Sequence, residues 1–176
     1  MKKRIVVLAM LMVAVLFSTE VMAQEFKGLD KSPMDAASYP SSYRVSDKLV
    51  KITYGRPQLK GRALAKLAPN DKVWRTGANE APEITFYKDV KFGGKDVKAG
   101  TYTLFTIPGD KEWTVILSTA KNVWGSYFYN ETEDVVRVTA PVKKSEKTIE
   151  AFSIAFSDDK TMHMGWGDVI ISVSIK

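Results

Sequence analysis

The chain has 176 residues and no cysteine, and 26 Lys and Arg outweigh 20 Asp and Glu to give a formal net charge of +6. A chain of this length buries one substantial core unaided, and the lack of cysteine excludes a disulfide scaffold and a thiolate zinc centre. The basic excess is modest and scattered, without the dense stripe and motif of a nucleic-acid binder, so weak attraction to an anionic envelope surface is all it implies.

Residues 1–23 read as an export signal. Lys2, Lys3 and Arg4 precede the uncharged apolar run Ile5 to Phe17, and Val21-Met22-Ala23 offers small residues for cleavage. The run falls short of the about 20 residues that a membrane-spanning helix needs. Cleavage after Ala23 is therefore expected, with a periplasmic or extracellular destination and no integral membrane segment in the mature chain. No Cys stands near the cut to carry a lipid.

Residues 24–46 read as an N-terminal arm punctuated by Pro33, Pro40 and paired Ser, with a first strand expected near Tyr43 and Val45. Residues 47–176 read as one β domain. Val50, Ile52 and Tyr54 alternate with Lys51 and Thr53, the period of a half-buried strand. Arg62 to Ala68 is the one helical stretch, stopped by Pro69. Ile84 and Phe86 mark a strand, and Val90-Lys91-Phe92 runs into Gly93-Gly94, a pair suited to the positive φ values of a hairpin turn.

Thr101 to Ile107 and Trp113 to Leu117 flank Pro108-Gly109-Asp110-Lys111 and predict a β-hairpin over 101–117. Trp124 to Tyr129 is an aromatic segment leading to an acidic loop, Asn130 to Asp134. Val135 to Val138 is a strand and Pro141 to Lys147 a basic connector. Phe152, Ile154 and Phe156, then Met162, Met164 and Trp166, then Val169 to Ile175, alternate again. The pattern predicts an all-β protein: a single antiparallel β-sandwich or jelly-roll-like barrel of eight or nine strands with one short helix.

Several ordered blocks are distinctive. They are Ile52-Thr53-Tyr54-Gly55-Arg56-Pro57, Gly61-Arg62, Val73-Trp74-Arg75-Thr76-Gly77-Ala78-Asn79-Glu80, Ala99-Gly100-Thr101-Tyr102-Thr103-Leu104, Ile107-Pro108-Gly109, Glu112-Trp113-Thr114-Val115 and Trp124-Gly125. Together they resemble the secreted bacterial proteins, mainly Bacteroidetes-like, of the domain of unknown function 2911 family, from about Val50 to the C-terminus. Pro82 departs from the small or hydroxyl residue expected there. The resemblance implies export and a conserved domain, and it supplies no activity.

The residues themselves nominate a site. Arg75, Asn79 and Glu80, with Arg56, Arg62 and Glu83 as further members, offer a planar fork of donors, a mixed donor–acceptor and acceptors suited to a hydroxyl-rich or carboxylate-bearing ligand. The competing reading is a buried latch in which Arg75 pairs with Glu80 or Glu83. Trp74, Trp124, Tyr127 and Tyr129 offer stacking surfaces for a sugar ring, Trp124 and Tyr127 foremost because a Gly lies between them, with core packing as the competing reading; Trp113 and Trp166 belong to alternating strands and read as core. His163, the sole His, points outward from its strand and has no nucleophile motif near it. Glu131, Glu133 and Asp134 read as a solvated acidic turn.

The expected function is thus an exported binding module for a small polar or carbohydrate-like ligand, or an envelope component, held by Arg56, Arg75, Asn79, Glu80, Trp124 and Tyr127. The alternatives are a hydrolase using Glu80 as acid/base, and a structural or interaction protein in which residues 74–80 are only a latch. No catalytic residue, metal ligand or cofactor is assigned.

Overall fold

The structure is a computed structural model that describes residues 25–176; the export signal read at residues 1–23 lies outside the described residues. Ten strands, a short helix and a 3-10 turn follow in the order β1 (Met34–Tyr39), β2 (Val50–Gly55), α1 (Leu64–Leu67), β3 (Glu83–Phe86), β4 (Val90–Phe92), β5 (Lys95–Val97), β6 (Gly100–Ile107), β7 (Glu112–Ser118), the 3-10 turn (Glu131–Glu133), β8 (Asp134–Pro141), β9 (Lys143–Phe156) and β10 (Thr161–Ser174). Strands β1-β2-β3-β6-β7-β8 form one antiparallel sheet in that order, while β9 and β10 form a long ribbon and β4 and β5 a small hairpin.

The inner face of the six-stranded sheet packs on the ribbon and the small hairpin, giving a sandwich that does not close into a barrel. Alternation explains the layering. Val50, Ile52 and Tyr54 of β2, Val115 and Leu117 of β7, and Val136, Val138 and Ala140 of β8 are buried inward. They meet Phe152 and Ile154 of β9 and Met162, Met164, Trp166, Ile171 and Val173 of β10. Each large side chain withdrawn in this way contributes about 1.5–3 kcal/mol. A smaller cluster, Ala81, Phe105 and Ile116, lies apart from this core, with Val73, Ile107, Val123 and Tyr129 packed on it. Phe105 and Ile116 face each other in the β6–β7 register between inward-facing neighbours, so this cluster sits on the outer face.

Four local expectations change. The first strand is Met34–Tyr39, inside the N-terminal arm and paired with β2, whereas Ser42 to Val45 is a turn closed by the Val45 N–H on the Ser42 carbonyl. The helix shrinks to Leu64–Leu67 because Ala63 is extended and the Arg62 guanidinium turns back onto the Leu59 and Gln58 carbonyls. The basic connector at 141–147 is the start of β9, with Lys143 and Lys144 paired to Ile170 and Val169; exposed lysines suit the unpaired edge of a two-stranded ribbon. Residues 161–174 form one strand, bent by register shifts around Gly165 and Gly167.

Candidate functional site

The distinctive loop leaves the sheet and rejoins it at nearly the same point. Trp74 pairs with Thr106 through both backbone hydrogen bonds (2.7 and 2.9 Å), and the Leu104 N–H donates to the Pro82 carbonyl at 2.9 Å. Residues 75 and 81 therefore form a narrow neck beside Phe105. Between them Thr76 and Asn79 take positive φ (57° and 63°). The loop lies so close to β2 that a Cβ on Gly55 would stand 2.3 Å from the Ala78 carbonyl oxygen, and one on Gly77 would stand 3.0 Å from the Gly55 carbonyl oxygen. Only a glycine lets two backbones approach this closely.

Inside the neck, Trp74 points into the main core. It stacks on Trp166 (centroids 5.3 Å, 16° between planes) and meets Trp113 and Phe152 edge-on. The fully buried Thr76 donates its hydroxyl to Thr106 Oγ1 at 3.1 Å. These side chains clamp the loop without an ion pair.

Arg75 alternates with Trp74, so the register puts it on the outer face opposite Phe105. The expected pairing with Glu80 or Glu83 does not form: among the described residues Arg75 has neither a salt bridge nor a hydrogen-bond acceptor, and its Nε is buried. A buried donor left unpaired costs about 1–3 kcal/mol. The two Nη groups are not sealed off with it. Among the described residues Arg75 thus has no acceptor for its guanidinium, whose outer end is not sealed off.

Glu80 is exposed and Asn79 half-buried. Glu80 and Glu83 line one shallow cleft of about 170 Å³ together with Thr53 and Asn122. Glu83 is partly engaged, accepting from the Asn122 N–H at 3.2 Å. The Ser32 N–H donates to Asp30 Oδ1 at 2.7 Å, and this first, with the nearby Asn79 side chain second, holds the Asp30 carboxyl below its ordinary range.

Residues 123–126 run alongside the neck. The Ala81 N–H donates to the Val123 carbonyl (2.8 Å), the Gly125 N–H to the Asn79 carbonyl (2.9 Å) and Ser126 Oγ to the Val73 carbonyl (3.1 Å). Glu80 and Trp124 are direct bridge partners, which sets their side chains next to each other on one surface. Trp124 is 56% exposed, Tyr127 78% and Phe128 83%. Gly125, at φ 69°, leaves room for the Tyr127 ring, which would stand 2.7 Å from a Cβ there. The bridge thus groups Glu80 and Trp124, with Tyr127 on the adjoining turn; Ala81 and Val123 pack on the outer cluster with Phe105, so Glu80 and Trp124, which alternate with them, turn away from the face that Arg75 takes.

Arg56 is elsewhere. Its Nε donates to the Phe152 carbonyl (3.0 Å), Nη2 to Ser153 Oγ (2.7 Å) and Nη1 to Asp35 (3.0 Å), tying β1 and the end of β2 to the ribbon. Three of its five N–H donors are used within the fold, and two of those of Arg62. His163 is half-buried, with Nε2 2.8 Å from Ser157 Oγ and Nδ1 2.8 Å from Ser172 Oγ. Ser157 Oγ lies 2.5 Å from Asp159 Oδ1, and a carboxylate can only accept. The Ser157 proton is therefore given to Asp159, and Nε2–H must donate to Ser157, so this His is no general base for that Ser.

One network escaped the sequence reading. Asp134 is not solvated; its side chain is only 7% exposed. It accepts from Tyr129 Oη and from Arg137 Nε, both at 2.6 Å, while Arg137 Nη2 donates to Tyr129 Oη at 2.7 Å and Nη1 pairs with Glu131 at 3.1 Å. Burial first, then the bond to Asp134, pushes the Tyr129 hydroxyl up to about 12. Contact with Asp134 first, then Tyr129, raises the Arg137 guanidinium above its ordinary value. The Tyr129 ring meets Phe105 edge-on at 5.1 Å, so the network roofs the outer cluster on which Arg75 sits. The only trace in the sequence is an acidic residue three before an Arg, which is too common to read.

Among the described residues no helix is long and apolar enough to cross a membrane. No curated protein and no solved structure matches the chain. The family model for "Protein of unknown function (DUF2911)" matches residues 32–175, from just before β1 to the end of the last strand, and the chain belongs to that family.

Proposed function

We propose that this protein is an exported binding module whose outer face, at the neck of the 75–81 loop, takes a small polar or carbohydrate-like ligand. The observation that carries the reading is Arg75, an arginine held by the most distinctive loop of the chain yet supplied with no acceptor by it. Glu80, an acceptor, and Trp124, an exposed ring beside it, turn away from that face. The residues that make the latch (Trp74, Thr76, Gly77 and Ala78) differ from those that face outward, so one block serves both ends.

Thermal unfolding of the protein, Arg75→Ala and Glu80→Gln, each with and without a library of glycans and envelope metabolites, tests this. Arg75→Ala removes the buried unpaired Nε, a relief of about 1–3 kcal/mol that offsets the packing lost with its stem, so it is expected to unfold no more than about 1 kcal/mol below wild type and to lose the ligand-induced shift. A loss of about 3 kcal/mol or more with no ligand for the wild type would sink the proposal and leave residues 74–80 as a latch. A second reading, a hydrolase with Glu80 as acid/base, draws on Glu80 and Glu83 sharing one cleft. It requires wild-type turnover that Glu80→Gln abolishes at unchanged stability.

A further inference from the structure

We infer that the cleft shared by Glu80 and Glu83 is a socket for one basic side chain, lysine or arginine, presented by a segment of a partner protein whose neighbouring apolar residues lie on the exposed aromatics around it. This surface is not the face that Arg75 takes, so it stands or falls apart from the binding reading above.

Three observations select this occupant. The first is size. The cleft holds about 170 Å³, whereas a pocket for a whole small molecule holds about 300–1,000 Å³. One side chain fills such a space, and the body that carries it stays outside. The second is charge. Among the described residues neither Glu80 nor Glu83 has an ion pair. Glu83 accepts from the Asn122 N–H, and Lys121 gives its ammonium to the Thr101 carbonyl instead. An ammonium or guanidinium carries donors only, which is what two carboxylates without a cation can accept. The third is the rim. Met34 lines the cleft and is exposed. Beside Glu80 the backbone bridge sets the exposed Trp124, and Tyr127 and Phe128 stand exposed on the turn that follows. A basic side chain has an apolar stem behind its charged head, matching a cleft with acidic lining and an apolar border. A free cation would leave these aromatics without a role, whereas protein interfaces concentrate their energy on such anchors around a filled pocket.

Titration of the isotope-labelled protein, followed by amide chemical shifts, tests the socket. The probes are a blocked peptide Ser-Leu-Lys-Leu-Ser, the same peptide with its lysine Nζ acetylated, and glucosamine. The lysine peptide is expected to move the amides of Glu80, Glu83 and Trp124 and to bind about tenfold tighter than its acetylated form, the margin of a charge-assisted hydrogen bond. Glu80→Gln is expected to remove most of that preference, and Trp124→Ala to weaken both peptides alike. Both residues are exposed, and Gln in place of Glu80 keeps the backbone bridge, so these variants fold if the wild type does. Equal binding of the two peptides would overturn the basic side chain as the occupant. Glucosamine that displaces the lysine peptide would overturn the protein partner in favour of a small cation. No movement of these amides with any probe would overturn the socket and leave the Arg75 reading standing.

Discussion

At the scale of single residues, Tyr129 has the clearest physical consequence. Its hydroxyl is pushed up to about 12 in the folded protein, by burial first and then by the bond to Asp134, while an unfolded tyrosine ionises near pH 10. Between these values the unfolded chain gives up the proton and the native one keeps it. The contribution to stability is therefore fully present below about pH 10 and is lost as pH rises through about 12. Tyr54, raised by burial, acts in the same direction. Urea midpoints measured from neutral pH into this range are expected to fall, and to fall less steeply for Tyr129→Phe. An equal slope in the variant would show that the network does not bind that proton. Sequence could not show this, since pairing Tyr129, Asp134 and Arg137 depends on a 3-10 turn over Glu131–Glu133 that folds the tyrosine back over β8. Arg75 was conspicuous in sequence for its neighbours. That it would be left unpaired was not, because opposite charges five and eight positions away suggest a partner until the loop's path is known.

At the scale of elements, the β4–β5 hairpin turns on Gly93 and Gly94, at φ 56° and 86°, and this turn was legible from the glycine pair alone. The two positions are not equivalent. A Cβ on Gly94 would meet nothing, whereas one on Gly93 would lie 2.8 Å from Val138 Cγ1. Gly94→Ala is expected to cost about 1–2 kcal/mol for left-handed backbone alone, and Gly93→Ala measurably more, since a β-branched strand residue has little freedom to yield. Thermal unfolding of the two variants checks the order, and equal losses would contradict the close approach to β8. Strands with a clean two-residue period, such as Val50–Tyr54 and the 101–117 hairpin, were readable because one face is buried and the other wet. Two elements lacked that contrast. Met34–Tyr39 is an edge strand with small residues, and Lys143–Lys147 is strand by its pairing alone, with side chains that say loop. The helix was overread from alanine and leucine content, where a single arginine folding back on two carbonyls decided its start.

At the scale of the molecule, Trp74 joins what the topology separates. It belongs to the neck of the loop, pairs with β6, and stacks on Trp166 of the ribbon. Trp74→Ala is expected to cost about 3–5 kcal/mol, as large aromatic truncations in cores do, and to abolish ligand-induced shifts through loss of the loop. Arg75→Ala would abolish them without the stability loss. Denaturant titration of the two variants draws the distinction, and a mild effect of Trp74→Ala would place the loop's support elsewhere. The overall class, an antiparallel sandwich, was legible from strand count and turn spacing. The role of Trp74 as its link was not, because an aromatic in a polar loop fits core packing and ligand stacking alike, and only the pairing with Thr106 shows which layers it joins.

The four tryptophans are divided by the fold. Trp74, Trp113 and Trp166 lie together in the core, with ring centroids 6.0 and 5.3 Å from the central Trp74, while Trp124 stands alone in solvent. The protein therefore carries two optical reporters. The buried trio is coupled closely enough for exciton splitting in the far-ultraviolet dichroism, a signature of the two layers being joined. Trp124, 56% exposed, is expected to emit further to the red and to be open to acrylamide, so a dissolved quencher would strip the signal of the neck and leave that of the core.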